Sequence, residues 1–313
     1  MFAGLIQLAS GSYTGSFNSV SPVLNDYMNE IWCSKPDTTI SSLPLMENGL
    51  WAVLSTLALY LYFVKIAGPK MMANRKPYNL KTLLLTHNIV LSVFNCYFFF
   101  FALTNTNYGA DFWKCSPLSV GIRENASYKL WVIWFYVMSK FVDLFDTIFF
   151  VLRKKFDHVS PLHVIHHTIV PINFFLGFKY APSVNMVALP FVNSFVHTLM
   201  YAYYALSALG PQVRPYLWWK KYLTSIQIGQ FVLVATNFAY VASRNDCNVP
   251  KIFFIMGIPQ VMLIMGMFVS FFMKTYLRKE DNCKVVKSGA ANGGVTMGNL
   301  IVHSNDREHR KHD

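Results

Sequence analysis

Three histidines in the pattern HxxHH are the residues of this chain best suited to chemistry. His163, His166 and His167 lie within one apolar run, and residues three and four apart share one face of a helix. Neutral imidazole is a good nucleophile and a good general base near neutral pH. The pattern therefore predicts a catalytic cluster, with a metal site and a set of structural histidines as the alternatives.

The two alternatives are weaker because of the surrounding sequence. His163 and His167 have the spacing that lets two imidazoles share a metal ion. A di-iron oxygenase needs several such clusters, however, and His87, His158 and His197 occur singly. Three structural histidines on one face would each need a partner, because an unpaired buried polar group is destabilising. We therefore expect no bound metal.

Polar residues at the same helical spacing occur in the two neighbouring apolar runs. Such residues inside a membrane usually face the interior of the helix bundle, so three polar faces are predicted to meet in one buried reaction chamber. The residues before the histidines are Lys140, Asp143, Asp146 and Thr147, and those after them are Asn193, His197, Met200, Tyr201 and Tyr204.

Several of these residues have a plausible catalytic role and a plausible structural one. Asp143 or Asp146 could orient an imidazole or stabilise imidazolium, and Asn193 could donate to an enolate or tetrahedral oxygen. Lys140 and Asp143 could instead form a structural ion pair, because buried charges need mutual compensation. The alternative for Asn193 is a hydrogen bond between helices.

A further set of residues is predicted to bind substrate. The glutamines of this set could instead join helices, and its tyrosines could be interfacial or packing residues. Its lysines could bind the phosphates of a nucleotide-like ligand, although membrane topology also explains basic residues at the end of a span. The set comprises Gln227, Gln230, Tyr201, Tyr204, Lys154 and Lys155.

The composition indicates that these runs lie in a membrane. Of the 313 residues, 54% are hydrophobic and only 13% are charged, which is too apolar for an ordinary soluble domain. The net charge of +12 does not indicate nucleic-acid binding, because the basic residues flank the apolar runs and fill the tail. We predict an all-α polytopic membrane protein with seven transmembrane helices. The predicted spans cover residues 49–66, 82–103, 128–152, 161–178, 182–209, 222–242 and 250–273.

The predicted organisation is an N-terminal segment, 1–48, a transmembrane catalytic domain, 49–273, and a polar tail, 274–313, expected to be disordered. The Gly68-Pro69 pair is a turn signal that follows the first span. Most Lys and Arg residues lie in the tail and in the connectors after the first, third and fifth spans. The positive-inside rule therefore predicts a cytosolic C-terminus and a lumenal N-terminus.

Two connectors on the predicted lumenal side carry features that suit it. Asn125 begins the sequon Asn-Ala-Ser and is a candidate for glycosylation. Cys115 and Cys247 lie in these connectors, where an oxidising compartment would favour a disulfide between them. Two free thiols are the alternative, since the five cysteines of the chain are an odd number.

Four motifs, in this order, resemble the ELO family of very-long-chain fatty acid elongases. Each motif alone is weak, but the four together are specific, and they cover about residues 140–230. The family usually has Glu where this chain has Asp143, so the shorter side chain reaches less far. The motifs are Lys140-x-x-Asp143-x-x-Asp146-Thr147, His163-x-x-His166-His167, Asn193-x-x-x-His197-x-x-Met200-Tyr201-x-Tyr203-Tyr204 and Thr224-x-x-Gln227-x-x-Gln230.

The resemblance implies a condensing enzyme, a very-long-chain 3-oxoacyl-CoA synthase of the endoplasmic reticulum. Such an enzyme joins long-chain acyl-CoA to malonyl-CoA and releases CoA and carbon dioxide, with no cofactor besides these substrates. The family fold is a barrel of seven helices around a substrate tunnel. By motif position, His166 takes the acyl group as an acyl-imidazole, His197 assists as acid or base, and Asn193 lies near the oxyanion. The resemblance also implies the disulfide between Cys115 and Cys247.

The remaining expectations concern the localisation of the protein, its partners and its alternative functions. The C-terminal residues Arg310-Lys311-His312-Asp313 look like a dibasic retrieval signal, with a merely basic tail as the alternative. The expected partners are the lipid bilayer, other enzymes of the elongation cycle and a second copy of the chain. The alternative functions are a histidine-box membrane oxidoreductase, such as a hydroxylase or desaturase, and a seven-span transporter or receptor.

Overall fold

The computed structural model describes residues 38–47, 49–113, 126–180, 184–244 and 251–277. Every regular element in these ranges is helical, as expected where a membrane requires each backbone polar group to be paired within the protein. The described α-helices of five or more residues are α1 (Leu50–Tyr62), α2 (Gly68–Met72), α3 (Lys81–Asn105), α4 (Ala126–Val142), α5 (Leu144–Leu152), α6 (Pro161–Tyr180), α7 (Val184–Ala208), α8 (Lys220–Ser243) and α9 (Lys251–Phe272).

Helices cover each of the predicted spans, and four helical segments in the described ranges are long and apolar enough to cross a membrane. These segments are Leu50–Met72, Lys81–Asn105, Pro215–Ser243 and Phe253–Leu277. The protein is therefore an all-helical polytopic membrane protein in its described part. The count of seven spans and the barrel around a tunnel stay predictions.

The first span is longer than the sequence indicated. A π-helical turn, Phe63–Ala67, connects α1 to α2 without a break, so the turn predicted at Gly68-Pro69 was wrong. Pro69 is the second residue of α2 and directly follows the π-helical turn and Gly68. A β-carbon on Gly68 would lie 2.6 Å from Val151 Cγ1, so this glycine permits close packing of α2 on α5.

The third predicted span is divided at Asp143. Helix α4 ends at Val142 and α5 begins at Leu144, although the Asp143 N–H still donates to Ser139 O at 3.0 Å. The backbone dihedral angles of Asp143 remain helical, and the partners of Asp143 and Asp146 are described below.

The core around the polar residues is largely aromatic. Tyr136 of α4 is fully buried, with its ring stacked on Phe98 of α3 at 3.9 Å between centroids. Phe174 of α6 meets the same ring edge-on at 5.6 Å. Large apolar side chains elsewhere, such as Leu59 and Leu233, are exposed, as expected for surfaces that face lipid.

Several predictions concern residues outside the described ranges. These include the disulfide between Cys115 and Cys247, the glycosylation of Asn125, the N-terminal segment up to residue 37 and the dibasic signal at 310–313. They stay predictions.

Candidate functional site

The three histidines of the HxxHH pattern lie side by side on α6. The ring centroids of His163 and His167 are 4.2 Å apart, and those of His166 and His167 are 5.4 Å apart. Ser160 Oγ accepts the His163 N–H at 3.2 Å, so a serine cap starts the helix that carries them. Within the described ranges, no group of three or more His, Cys, Asp or Glu side chains could hold a metal ion.

A chain of hydroxyl groups holds the first of these histidines. Thr147 Oγ1 of α5 lies 2.9 Å from His163 Nε2 and 2.9 Å from Tyr60 Oη of α1. Thr147 is fully buried and Tyr60 is nearly so. The contacts fix the His163 ring against α5 and leave His166 and His167 farther along the same helix.

We expect Thr147→Val to lower the free energy of unfolding by about 1–3 kcal/mol. Valine keeps the shape of threonine but leaves the Tyr60 hydroxyl and His163 Nε2 without their shared partner. Thermal unfolding of the purified protein in detergent would measure the change. The matched control is Thr236→Val, because Thr236 is exposed and its hydroxyl donates to Val232 O of its own helix. Equal effects of the two substitutions would contradict the prediction.

A second polar network joins α4 and α7 across the break at Asp143. Lys140 Nζ lies 3.1 Å from Asp143 Oδ2, and His197 Nδ1 lies 3.7 Å from that same oxygen. Asn193 Oδ1 accepts from Tyr136 Oη at 2.8 Å and from Lys140 Nζ at 3.4 Å. All five residues are buried. The structure thus assembles Lys140, Asp143, Asn193 and His197 as the sequence predicted.

Two buried atoms of this network have no hydrogen-bond partner among the described residues. They are Asp143 Oδ1 and His197 Nδ1. The 3.7 Å between His197 Nδ1 and Asp143 Oδ2 exceeds a normal hydrogen bond. Unsatisfied buried polar atoms are rare in native proteins, and a catalytic role or an ordered water is among the explanations for them. A small closing movement would let His197 donate to Asp143, which is the geometry of an imidazole oriented by a carboxylate.

Asp146 belongs to a separate network. Its Oδ1 lies 3.0 Å from His87 Nε2 of α3, and its Oδ2 accepts from Tyr201 Oη of α7 at 3.0 Å. Both carboxylate oxygens are therefore engaged with residues other than the α6 histidines. His87 lies outside the motifs to which the sequence assigns a role, although a single histidine inside an apolar span is a signal for one. The polar residues of the predicted single chamber thus form three adjoining networks.

A cavity lies where α6, α7, α8 and α9 meet. The space open to the centre of a water-sized sphere is about 50 Å³, against roughly 10–15 Å³ for one water. His166 and Asn193 line it together with Gln230, and most of its other lining residues are apolar. Those others are Val170, Asn173, Phe174, Leu189, Phe231, Val234, Gln260, Val261 and Ile264.

An amide pair that the sequence analysis missed lies in the wall of this cavity. Asn173 Nδ2 of α6 donates to Gln260 Oε1 of α9 at 2.6 Å. Each is a single amide side chain in an apolar run, and a polar residue in such a run is a sequence signal for a position inside the helix bundle. Gln227, by contrast, does not line the cavity, and its Nε2 lies 3.7 Å from Met200 Sδ. This contact matches the alternative role of joining helices.

The predicted tyrosines lie beside His197, and the predicted lysines lie in the connector before α6. The ring of Tyr201 packs against that of His197 at 5.6 Å and against that of Tyr204 at 6.1 Å. Lys154 and Lys155 follow α5, and Lys154 Nζ donates to Ala73 O at 3.0 Å. Tyr201 therefore connects His197 to the Asp146 network, and Tyr204 packs on its far side.

The connector that holds these lysines has a positive potential. Burial lowers the pKa of His158 in this connector, and the charges of Lys220 and Lys155 lower it further. His158 resists protonation because the positive charge of its imidazolium would be repelled by the nearby lysines. The same potential would attract an anionic group such as a phosphate.

Comparison with known proteins places the chain in a family. The model of the family described as "ELO: GNS1/SUR4 family" matches residues 45–284. The chain is 36% identical over 294 residues to "Very long chain fatty acid elongase 7" of Drosophila melanogaster, covering 92% of this chain and 89% of the relative. It is 37% identical to the protein of that name from Rattus norvegicus, covering 82% of this chain and 92% of the relative.

A third relative extends the likeness along nearly the whole chain. "Very long chain fatty acid elongase 4" of Homo sapiens is 33% identical over 299 residues, covering 94% of this chain and 93% of the relative. The family model spans all three polar networks, all residues of the cavity and the HxxHH cluster. The chain therefore belongs to the GNS1/SUR4 (ELO) family.

Proposed function

We propose that this protein is the condensing enzyme of fatty acid elongation. It joins long-chain acyl-CoA to malonyl-CoA, forms 3-oxoacyl-CoA and releases CoA and carbon dioxide. The names of its relatives support fatty acid elongation. The observation that carries the chemistry is the cavity that His166 and Asn193 share, because a nucleophile beside a hydrogen-bond donor is what acyl transfer requires.

In the first half of the reaction His166 acts as the nucleophile. A lone pair of its neutral imidazole attacks the thioester carbon, the carbon–sulfur bond breaks, and CoA leaves as the thiolate. The acyl-imidazolium then passes its N–H proton to the departing thiolate, which gives the CoA thiol and a neutral acyl-imidazole. The Asn193 amide, which lines the same cavity, stabilises the negative charge on the carbonyl oxygen in the transition state.

In the second half malonyl-CoA loses carbon dioxide, and its carbanion attacks the acyl group. The bond to His166 breaks, 3-oxoacyl-CoA leaves, and the imidazolate takes up one proton, which restores neutral His166. The complete reaction takes up one proton, because the anionic carboxylate of malonyl-CoA is lost as neutral carbon dioxide and CoA is released as a neutral thiol. His197 is the candidate for this proton transfer, with Asp143 placed to stabilise its charged form. Lys140 offsets the charge of Asp143.

The surroundings of the site support this assignment. The cavity has a mostly apolar lining, which would protect an acyl-imidazole from hydrolysis by water. The imidazole and the two substrates supply every bond that forms or breaks, so the reaction needs no further cofactor. His163, His167 and Asp146 complete the polar surroundings, and Gln230 and the aromatic rings of Tyr201 and Tyr204 shape them.

We also propose a place in the cell and an orientation. Positively charged connectors support a cytosolic C-terminus and a lumenal N-terminus in the membrane of the endoplasmic reticulum. Lys154 and Lys155 would then face the cytosol and bind the phosphates of CoA. Cys115 and Cys247 would form a lumenal disulfide. The protein would act with the other enzymes of the elongation cycle, and its oligomeric form would be a homodimer.

The experiment that tests the function uses the purified full-length protein in lipid nanodiscs. A series of acyl-CoA chain lengths is supplied with malonyl-CoA, and free CoA and 3-oxoacyl-CoA are quantified by mass spectrometry. Equal amounts of both products are expected. CoA release without chain growth would contradict condensation, and no reaction together with stoichiometric iron would favour the histidine-box oxidoreductase.

A further inference from the structure

We propose that Tyr136 is a positioning residue that fixes the orientation of the Asn193 amide. In this orientation the NH₂ group of Asn193 is directed away from Tyr136 and Lys140 and is available to the oxyanion of the acyl transfer. The inference rests on the proposed condensation, and it adds a residue that none of the four sequence motifs contains.

The Lys140 ammonium decides which atom of the amide faces it. An ammonium carries only N–H donors, and Lys140 Nζ lies 3.4 Å from Asn193 Oδ1. A flipped amide would place its NH₂ group against this charge, with two sets of donors opposed in a buried site. That arrangement leaves polar groups unsatisfied and is destabilising. The atom near Lys140 is therefore the oxygen.

The Tyr136 hydroxyl makes the shorter of the two contacts to this oxygen. Its Oη donates to Asn193 Oδ1 at 2.8 Å, and with Lys140 it fills the acceptor positions of the oxygen. The two N–H groups of the amide then point the other way. Because Asn193 lines the cavity together with His166, these donors are available where the carbonyl oxygen of an acyl group would develop charge.

The packing of Tyr136 makes it suitable for this task. Its ring is fully buried, stacked on Phe98 and met edge-on by Phe174. Lys140 Nζ lies 4.7 Å from the ring centroid, a cation–π contact. The ring cannot move without disturbing α3, α4 and α6, so the hydroxyl is held in place. A rigid donor of this kind is what preorganisation of an oxyanion site requires.

Tyr136→Phe tests the proposal by removing the hydroxyl while keeping the ring, its packing and the cation–π contact. We expect kcat for condensation to fall about ten- to hundredfold, as for a misplaced catalytic group, with KM for acyl-CoA unchanged. Tyr97→Phe is the matched control, because Tyr97 is exposed and bonds to Tyr128 away from the cavity. The control is expected to keep the wild-type kcat.

A double variant separates positioning from a general effect on the fold. If Tyr136 acts through Asn193, Tyr136→Phe should produce no further loss of kcat in an Asn193→Ala background. Independent, multiplying losses would overturn the proposal. So would a kcat of Tyr136→Phe within twofold of wild type, or a loss that appears only in KM.

Asn193→Asp keeps the proposal testable if Tyr136→Phe does not fold. The carboxylate retains acceptors for Tyr136 and Lys140 but has no N–H donor, so a loss of kcat equal to that of Asn193→Ala is expected. Wild-type kcat in Asn193→Asp would overturn the donor role. An absence of 3-oxoacyl-CoA from the wild-type protein would instead overturn the proposed function, so the two failures are distinguishable.

Discussion

The His166→Ala variant is expected to lose condensation by at least about a thousandfold, because removing a nucleophile removes the covalent route altogether. The wild-type protein, incubated with a saturated long-chain acyl-CoA without malonyl-CoA, should gain the mass of one acyl group. His166→Ala should show no gain. Intact-protein mass spectrometry and product formation under the same conditions measure both effects.

The control for this experiment is His303→Ala, a histidine of the polar tail, which should keep both the mass gain and the activity. A His166→Ala variant with most of its activity would remove His166 from the nucleophile role. Product formation by wild-type protein without any acyl adduct would make the histidines general bases in a direct condensation.

His197→Ala, in contrast, is expected to form less product while still permitting acylation of His166.

Asp143→Ala is expected to lower the free energy of unfolding by about 3–5 kcal/mol. The substitution leaves the Lys140 ammonium, which is fully buried, without the carboxylate that lies 3.1 Å from it. An uncompensated buried charge is strongly destabilising, whereas an apolar pair of similar volume is tolerated. Thermal unfolding in detergent at one pH would measure the loss.

The double variant Lys140→Met/Asp143→Leu should recover most of this stability and remain inactive. That outcome would show that the charges are retained for the reaction rather than for the fold. Lys65→Met is the control, because Lys65 is exposed and exposed charges contribute little. If Asp143→Ala unfolds at the wild-type temperature, the pair does not provide mutual compensation.

The apolar pattern predicted the helices well because membrane spans are specified by local sequence. The helix that carries the histidines was predicted to begin at Pro161 and does so, and spacings of three and four placed its histidines on one side. The extension of the first span through Gly68-Pro69 was missed. Close packing of Gly68 on Val151, a tertiary effect, determines that backbone rather than local turn preference.

The partners within the site could be predicted only in part, because they depend on contacts between distant residues. The neighbouring positions Lys140 and Asp143 made their ion pair predictable. The partner of Asp146 is His87, 59 residues away in sequence, and no local pattern connects the two. The helix break at Asp143 has no glycine or proline to signal it, and Tyr136 resembles any packing residue of an aromatic span.

Two consecutive residues of α5 bind four other helices. Asp146 contacts α3 through His87 and α7 through Tyr201, while Thr147 contacts α1 through Tyr60 and α6 through His163. Each residue of a helix is rotated about 100° from the previous one. Insertion or deletion of a single residue just before this pair would therefore sever four interhelical links at once. Natural variants should consequently contain no insertion or deletion in this nine-residue helix. Insertions and deletions should occur in the connectors, where no interhelical contacts of this kind depend on the rotation of a helix.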